Sequence, residues 1–195
     1  EIEKFPAVYE ILSTMKAKLY ASRTILYETC RYVDIYKALD DISRERPLTP
    51  EEREEQKFYS KLADSLTPLA KGIGSEYANQ NAYDCIQIHG GSGFMKEYTS
   101  ERLYRDARIT SIYEGTTQLQ VVAAIRYVTS GFYADLIDRF DAAEVGEELK
   151  GLKERLRSMM AQYKEAVRKI TESGDQEVLD FTARRLVEMA AVTIM

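Results

Sequence analysis

The chain has 195 residues, of which 45% are hydrophobic and 30% are charged, and its formal net charge is −5. This length suits one or two compact domains, and the negative charge argues against a general nucleic-acid-binding surface. With only 10 Gly and 4 Pro, few turns are available, which favours long helices over a many-stranded fold. The sequence has no long uncharged apolar run, so we predict no membrane span.

The first predicted element is a long helix from about Pro6 to Leu39. Pro6 suits the first turn of a helix, and apolar or small residues recur at three-and-four spacing, as one buried stripe requires. The residues of this stripe are Val8, Ile11, Leu12, Met15, Leu19, Ser22, Leu26 and Cys30. Since two distant cysteines do not make a disulfide framework, we interpret Cys30 and Cys85 as small core residues in a reducing compartment.

A second long helix is predicted from Pro50 to His89. Thr49 can cap it, Pro50 fits its first position, and Glu52 can complete a capping box. Pro68 should kink or split this helix, because proline lacks the N–H of the helical hydrogen bond.

The elements after His89 are predicted to be shorter. Residues 89–101, HGGSGFMKEYTSE, read as a loop, and Thr99 or Ser100 can cap a short helix that ends near residue 108. Residues 109–116 look irregular. Further helices are expected over residues 117–140 with a break at Gly131, over residues 147–171, and from Asp175 or the next residue onward. Because no strand pair is apparent, we predict an all-α fold, an up-down bundle of long helices.

Two local motifs could carry chemistry. The glycines of QIHGGSG, residues 87–93, would let the backbone approach a ligand or line an anion site, although glycines also commonly end helices. Glu114 lies just outside a helix that Thr117 can cap. The helix dipole favours a carboxylate there, an apolar pocket would oppose its charge, and such opposed influences can tune a general base. A solvated acidic residue at a helix start is the alternative.

The only histidine, His89, has no sequence pattern around it that indicates a catalytic triad or a set of metal ligands. We therefore predict no metal site.

Residues 87–120 as a whole resemble the C-terminal signature of the acyl-CoA dehydrogenase family. The matching residues are Gln87, Gly90, Gly91, Gly93, Tyr98, Glu101, Arg102, Arg105, Asp106, Ala107, Ile112, Tyr113, Glu114, Gly115, Thr116 and Gln118. The resemblance implies a fragment of a larger family member. Residues 1–140 would form the C-terminal helical bundle without its first helix, and residues 141–195 a truncated helical extension.

The resemblance also implies a reaction. In this family, a glutamate at this position removes the pro-R α-proton of an acyl-CoA thioester, and the β-hydride passes to flavin N5. The products are a trans-2-enoyl-CoA and reduced FAD. Glu114 would be the base, and Tyr113 and Gly115 would contact the substrate.

The cofactor implied by the resemblance is FAD, shared between subunits. Thr116 and Gln118 would contact the FAD of their own subunit, whereas Gln87, Gly90 and Gly91 would contact a neighbour's FAD. The expected assembly is therefore a homodimer or homotetramer, and an electron-transferring flavoprotein is the expected electron acceptor.

Two alternatives stay open from the sequence. One is an acyl-CoA oxidase, in which oxygen reoxidises the flavin. The other is a non-catalytic helical module for binding or oligomerisation. We expect the isolated fragment to be inactive, and we expect its parent in the bacterial cytoplasm, or in the mitochondrial matrix if it is eukaryotic.

Overall fold

The computed structural model describes residues 2–195, and within that range the chain is helical with no strand. Two single turns of 3-10 helix, Ile2–Lys4 and Glu147–Leu149, accompany eight α-helices. The α-helices are α1 (Pro6–Glu45), α2 (Pro50–His89), α3 (Gly91–Phe94), α4 (Thr99–Thr110), α5 (Thr117–Thr129), α6 (Phe132–Ala142), α7 (Lys150–Glu172) and α8 (Gln176–Ile194). The predicted all-α fold class is confirmed.

The chain divides into two compact units, one ending at Thr117 and the other beginning at Gln118. The separate division predicted at residues 140 and 141 stays a prediction. None of the helices within residues 2–195 combines the length and the apolarity needed to cross a bilayer.

In the first unit, α1 and α2 form an antiparallel pair of 40-residue helices. Near their connection the rings of Tyr32 and Tyr59 lie 5.9 Å apart. Further along, the side-chain amide of Asn81 donates to the carbonyl of Met15 at 3.2 Å. A four-residue connection between long helices produces this arrangement, because so short a loop places consecutive helices side by side.

The start of α2 follows the prediction. The backbone N–H of Glu52 donates to the Thr49 hydroxyl at 3.2 Å, and the backbone N–H of Thr49 donates to the Glu52 carboxylate at 2.8 Å. The capping box is therefore confirmed. Hydrogen bonds from Arg46 and from the Thr49 backbone lower the pKa of the Glu52 carboxyl to about 2.

The predicted split at Pro68 does not occur, since α2 runs through this residue without interruption. Pro68 is itself buried, and the nearby Leu66 and Leu69 on the same helix are buried as well. A proline inside a helix costs about 3 kcal/mol, and burial of a leucine side chain contributes about 1.5–3 kcal/mol. Packing of this segment is thus sufficient to keep the helix continuous.

The buried face of α1 is rotated from the predicted stripe. Its buried residues are Ile25, Thr29, Tyr32 and Leu39. Several members of the predicted stripe are exposed instead, namely Leu12, Leu19, Leu26 and Cys30. The core interpretation of Cys30 was wrong, because α2 covers one side of α1 and Cys30 lies away from it. Phe5, Leu12, Leu19 and Leu26 form an exposed stripe at seven-residue spacing.

The second unit contains α6, α7 and α8, which pack against one another. The predicted break at Gly131 is confirmed, since this glycine has φ of 79° and separates α5 from α6. Burial raises the pKa of both Tyr133 and Tyr163 in this core. The last helix begins as predicted, with the Asp175 carboxylate accepting from the backbone N–H of Glu177 at 2.9 Å.

Candidate functional site

The turn between α4 and α5 carries Glu114 in a strained backbone conformation. Glu114 has φ of 56° and Gly115 has φ of 88°, and Glu114 is the only non-glycine residue with positive φ among residues 2–195. The left-handed region costs an ordinary L-residue about 1–2 kcal/mol. Such outliers persist only where the surroundings impose them, and they cluster at functional sites.

Helix α2 supports this turn from one side. The Lys71 ammonium donates to the carbonyl of Gly115 and lies 5.9 Å from the centre of the Tyr113 ring. The hydroxyl of Thr117 donates to a carboxylate oxygen of Glu76 at 2.6 Å. The turn is thus attached to α2 on both sides of Glu114.

The end of α4 is attached to the same helix. The side-chain amide of Asn79 donates to the carbonyl of Ala107 at 3.0 Å and to the carbonyl of Ser75 at 2.8 Å. Arg108 donates to the hydroxyl of Ser111, also at the end of α4, at 2.6 Å. These bonds fix the point at which the Glu114 turn begins.

A cavity of about 500 Å³ opens beside the turn. Its lining residues are Lys71, Gly74, Ser75, Ala78, Thr110, Tyr113 and Glu114. Small side chains on α2 leave this space, and the turn supplies a phenol and a carboxylate on its other wall. The structure therefore brings Tyr113 and Glu114 to one concavity, as a substrate site requires.

Sequence reasoning missed both Lys71 and Gly74. No local signal distinguishes Lys71, because lysine is common on helix surfaces and its contact with Gly115 spans 44 positions. Gly74 has open space around its α-carbon, in keeping with its place on the cavity wall.

The glycine segment lies at the other end of α2. Gly90 ends this helix with φ of 59°, and residues Gly91–Phe94 form a helical turn instead of the predicted loop. Neither Thr99 nor Ser100 caps α4, whose cap residue is Tyr98. The buried Ser100 hydroxyl donates to the Gly93 carbonyl at 3.0 Å instead, which ties α4 to the glycine segment.

A second cavity of about 560 Å³ adjoins this segment. It is lined by Tyr83, Ile86, Gln87, Phe94, Glu101, Tyr104, Arg105 and Arg108. Aromatic and aliphatic side chains can hold a planar ring, while guanidinium groups pair with phosphates. The donor set therefore fits the ADP part of a dinucleotide such as FAD.

The predicted cofactor residues do not form one cluster. Gln87 and Lys71 lie sixteen positions apart on α2, which corresponds to roughly 24 Å along a helix axis. The exposed Gln87, Gly90 and Gly91 are therefore well removed from the Glu114 turn. Thr116 is half-buried in that turn, and Gln118 opens the second unit.

Gly93 in the glycine segment packs closely against Ile86 and His89, and this packing can be tested by substitution. Replacing Gly93 by Ala is expected to lower the free energy of unfolding by about 1–3 kcal/mol, the usual effect of overpacking. The added Cβ would lie 2.7 Å from the Ile86 carbonyl oxygen and 2.8 Å from the His89 Cβ. Chemical denaturation followed by circular dichroism measures this loss.

Gly91→Ala is the matched control, because a Cβ there meets nothing within 4 Å and Gly91 lies at the start of a helical turn. Its unfolding free energy should stay close to that of the unmodified chain. Equal losses for the two alanine variants would contradict the packing explanation.

Two family models match the chain. "Acyl-CoA dehydrogenase, C-terminal domain" matches residues 51–128, and "Acyl-CoA dehydrogenase C terminal" matches residues 129–195. The all-helical fold agrees with this match. The chain belongs to the acyl-CoA dehydrogenase family, and the resemblance in its sequence is confirmed.

Relatives of known function include two reductases. The chain is 34% identical over 119 residues to a 3-(aryl)acrylate reductase of Clostridium sporogenes. It is 33% identical over 119 residues to the caffeyl-CoA reductase-Etf complex subunit CarC of Acetobacterium woodii. Each match covers 61% of this chain and 25% of the relative. The chain thus spans about a quarter of the length of these relatives.

A crystal structure also matches. The acyl-CoA dehydrogenase of Bacillus anthracis, complexed with FAD, superposes with a TM-score of 0.64 at 28% identity. The match covers 98% of this chain and 34% of that structure.

Proposed function

We propose that this chain is the C-terminal part of an FAD-dependent acyl-CoA dehydrogenase in which Glu114 removes the α-proton of an acyl-CoA thioester. The observation that carries the proposal is the strained, positive-φ conformation of Glu114 at the edge of a cavity. Glu114 is exposed at this edge, and backbone outliers of this kind cluster at functional sites. Family membership supports the same assignment, since it makes a dehydrogenase the expected class of enzyme.

The chemistry follows from the position of the carboxylate. The α-carbon–hydrogen bond of the thioester breaks, and the proton passes to a carboxylate oxygen of Glu114. Tyr113, on the same cavity wall, would contact the acyl chain, with Gly115 beside it. A bound FAD supplies the acceptor for the hydride from the β-carbon. Exclusion of water would strengthen the electrostatic interactions of this step.

We propose that Thr116 and Gln118 contact the FAD of their own subunit, and that Gln87, Gly90 and Gly91 contact the FAD of a neighbour. The separation of roughly 24 Å along α2 supports this division, because the glycine segment and the Glu114 turn belong to different places in one subunit. The aromatic and cationic lining of the second cavity suits the ADP part.

The active enzyme is proposed to be a homodimer or homotetramer. Besides the divided cofactor contacts, an exposed apolar stripe supports assembly. Phe5, directly before α1, and Leu12, Leu19 and Leu26 on α1 have side chains that are between 37% and 62% exposed. Exposed apolar side chains at seven-residue spacing are typical of a helix that packs against another helix.

An electron-transferring flavoprotein is the proposed redox partner. The Acetobacterium relative is itself a subunit of a complex with Etf, which supports this assignment for the present chain.

A second candidate function is the reverse reaction, the reduction of a 2-enoyl thioester or a related acrylate. The names of the two curated relatives favour it, since both are reductases. In that direction the carboxylic acid of Glu114 would return a proton to the α-carbon. The same residues serve both directions, so the potential of the redox partner decides which one operates.

The test uses the whole enzyme, loaded with FAD and kept anaerobic. We expect at least one member of a panel of acyl-CoA thioesters to bleach the visible absorbance of the oxidised flavin. The reductase candidate predicts instead that a 2-enoyl or 3-aryl-acryloyl thioester restores the absorbance of the chemically reduced enzyme. In a separate assay in air, oxygen uptake during turnover without need for a flavoprotein would identify an oxidase.

The isolated 195-residue chain serves as a control and should show no turnover. Absence of any spectral change with every saturated and unsaturated thioester would contradict the proposal and favour a helical binding or oligomerisation module.

A further inference from the structure

Lys71 contacts both chain neighbours of Glu114, namely the side chain of Tyr113 and the backbone of Gly115. Its ammonium group donates to the carbonyl of Gly115, directly after the glutamate. The same ammonium lies over the ring of Tyr113, directly before it, at 5.9 Å from the ring centre. Lys71 is half-buried on α2 and lines the same cavity as the glutamate.

We propose that Lys71 is a positioning residue that orients Glu114. This inference rests on the proposed function of this glutamate. A residue with positive φ returns to an ordinary conformation unless its surroundings over-determine it. The hydrogen bond to Gly115 fixes the peptide after Glu114, and hydrogen bonds from a charged donor are stronger than neutral ones. The cation over the Tyr113 ring restrains the preceding residue.

Glu76 acts as the second support on the same helix. Its carboxylate accepts the hydroxyl hydrogen of Thr117 at 2.6 Å, so the residue that begins α5 is held as well. A cation on one side and an anion on the other thus attach the turn to a long, well-packed helix. Sites built on rigid elements hold their catalytic groups more accurately than loops alone.

The rate of the chemical step depends on the position of the Glu114 carboxylate relative to the substrate. A displacement of the reacting carboxylate by about 1 Å can lower the rate of the chemical step by about a hundredfold. Because Lys71 contacts the backbone carbonyl and the ring, its loss should change the placement of Glu114 and leave the binding of the CoA part unaffected.

The first experiment compares Lys71→Met with the unmodified whole enzyme, loaded with FAD. We expect flavin bleaching at saturating acyl-CoA to slow by about 10- to 100-fold, with KM and flavin content little changed. Lys71→Arg should recover most of the rate, since a guanidinium also donates to carbonyls and stacks on rings. Lys57→Met is the matched control, because Lys57 lies exposed on the same helix, and its rate should equal that of the unmodified enzyme.

The second experiment does not depend on catalysis. Hydrogen exchange, measured by mass spectrometry on the 195-residue chain, should be faster over residues 111–117 in Lys71→Met and unchanged in Lys57→Met. This measurement tests whether Lys71 orders the turn independently of any acyl-CoA reaction. If exchange responds as expected but no acyl-CoA bleaches the flavin, only the proposed function is contradicted.

Three results would overturn the positioning role. Unchanged exchange over residues 111–117 would show that Lys71 does not order the turn. Faster exchange with an unchanged bleaching rate would show that this order is irrelevant to catalysis. Failure of Lys71→Arg to recover the rate, with exchange restored to normal, would mean that the ammonium group acts in another way.

Discussion

Replacing Glu114 by Gln is expected to lower the rate of flavin reduction by acyl-CoA about a thousandfold, within the range that a positioned general base contributes. Glutamine has nearly the same shape as glutamate and can occupy the same wall of the cavity. It lacks a basic carboxylate, however, so the α-proton has no acceptor. Anaerobic stopped-flow measurement of the flavin absorbance checks the rate, and the flavin content of the variant confirms that the cofactor is retained.

Two further substitutions separate chemistry from backbone conformation. Glu114→Asp keeps a carboxylate, and aspartate tolerates the left-handed region better than most residues, so it should retain more activity than the Gln variant. Glu114→Gly removes the carboxylate and relieves the strain at φ of 56°, so it should be inactive without loss of stability. Equal rates for the Gln variant and the unmodified enzyme would place the base elsewhere.

Most helix boundaries could be predicted because they depend on local chemistry. Thr49, Pro50 and Glu52 specify the start of α2 through caps that contact only neighbouring residues. Gly131 and Asp175 similarly mark the ends of elements in the second unit. These signals act over three or four positions, which is the range that a sequence pattern reveals.

Features that depend on packing partners could not be predicted. The helix continues through Pro68 because tertiary burial outweighs the local cost of proline. The stripe on α1 was misplaced because this helix carries apolar residues on two faces, and α2 covers only one of them. Periodicity shows that apolar residues share a face, but it does not say which of two apolar faces is covered.

The candidate site likewise contains residues that local sequence identifies and residues that it does not. Tyr113 and Glu114 could be selected because they are adjacent to each other within a recognisable motif, and the structure places both at one cavity. Lys71 could not be selected, since its contact with Gly115 joins distant parts of the chain. The FAD contacts assigned to Thr116, Gln118 and the glycine segment stay predictions.

The separation of the glycine segment from Glu114 has a consequence for the assembled enzyme. If one FAD site uses Glu114 of one subunit and Gly91 of its neighbour, then a Glu114 defect on one subunit and a Gly91 defect on its partner fall in the same site. One site of a mixed dimer then has both defects, while its other site has neither. Gly91 suits this design because it is exposed and a Cβ there meets nothing within 4 Å.

We therefore expect two inactive variants, Glu114→Gln and Gly91→Glu, to regain activity when they are unfolded and refolded together. The glutamate at position 91 would repel the phosphates of the neighbour's FAD, and the glutamine at position 114 would leave its own site without a base. Random pairing makes half of the dimers mixed, so about a quarter of the sites should be intact in a two-fold symmetric enzyme. Bound flavin and the amplitude of bleaching measure this fraction. Each variant refolded alone is the control. Correctly assembled mixed dimers that recover no activity would contradict the shared site. In that case, Glu114 and Gly91 serve the cofactor of the same subunit, or they do not serve one reaction.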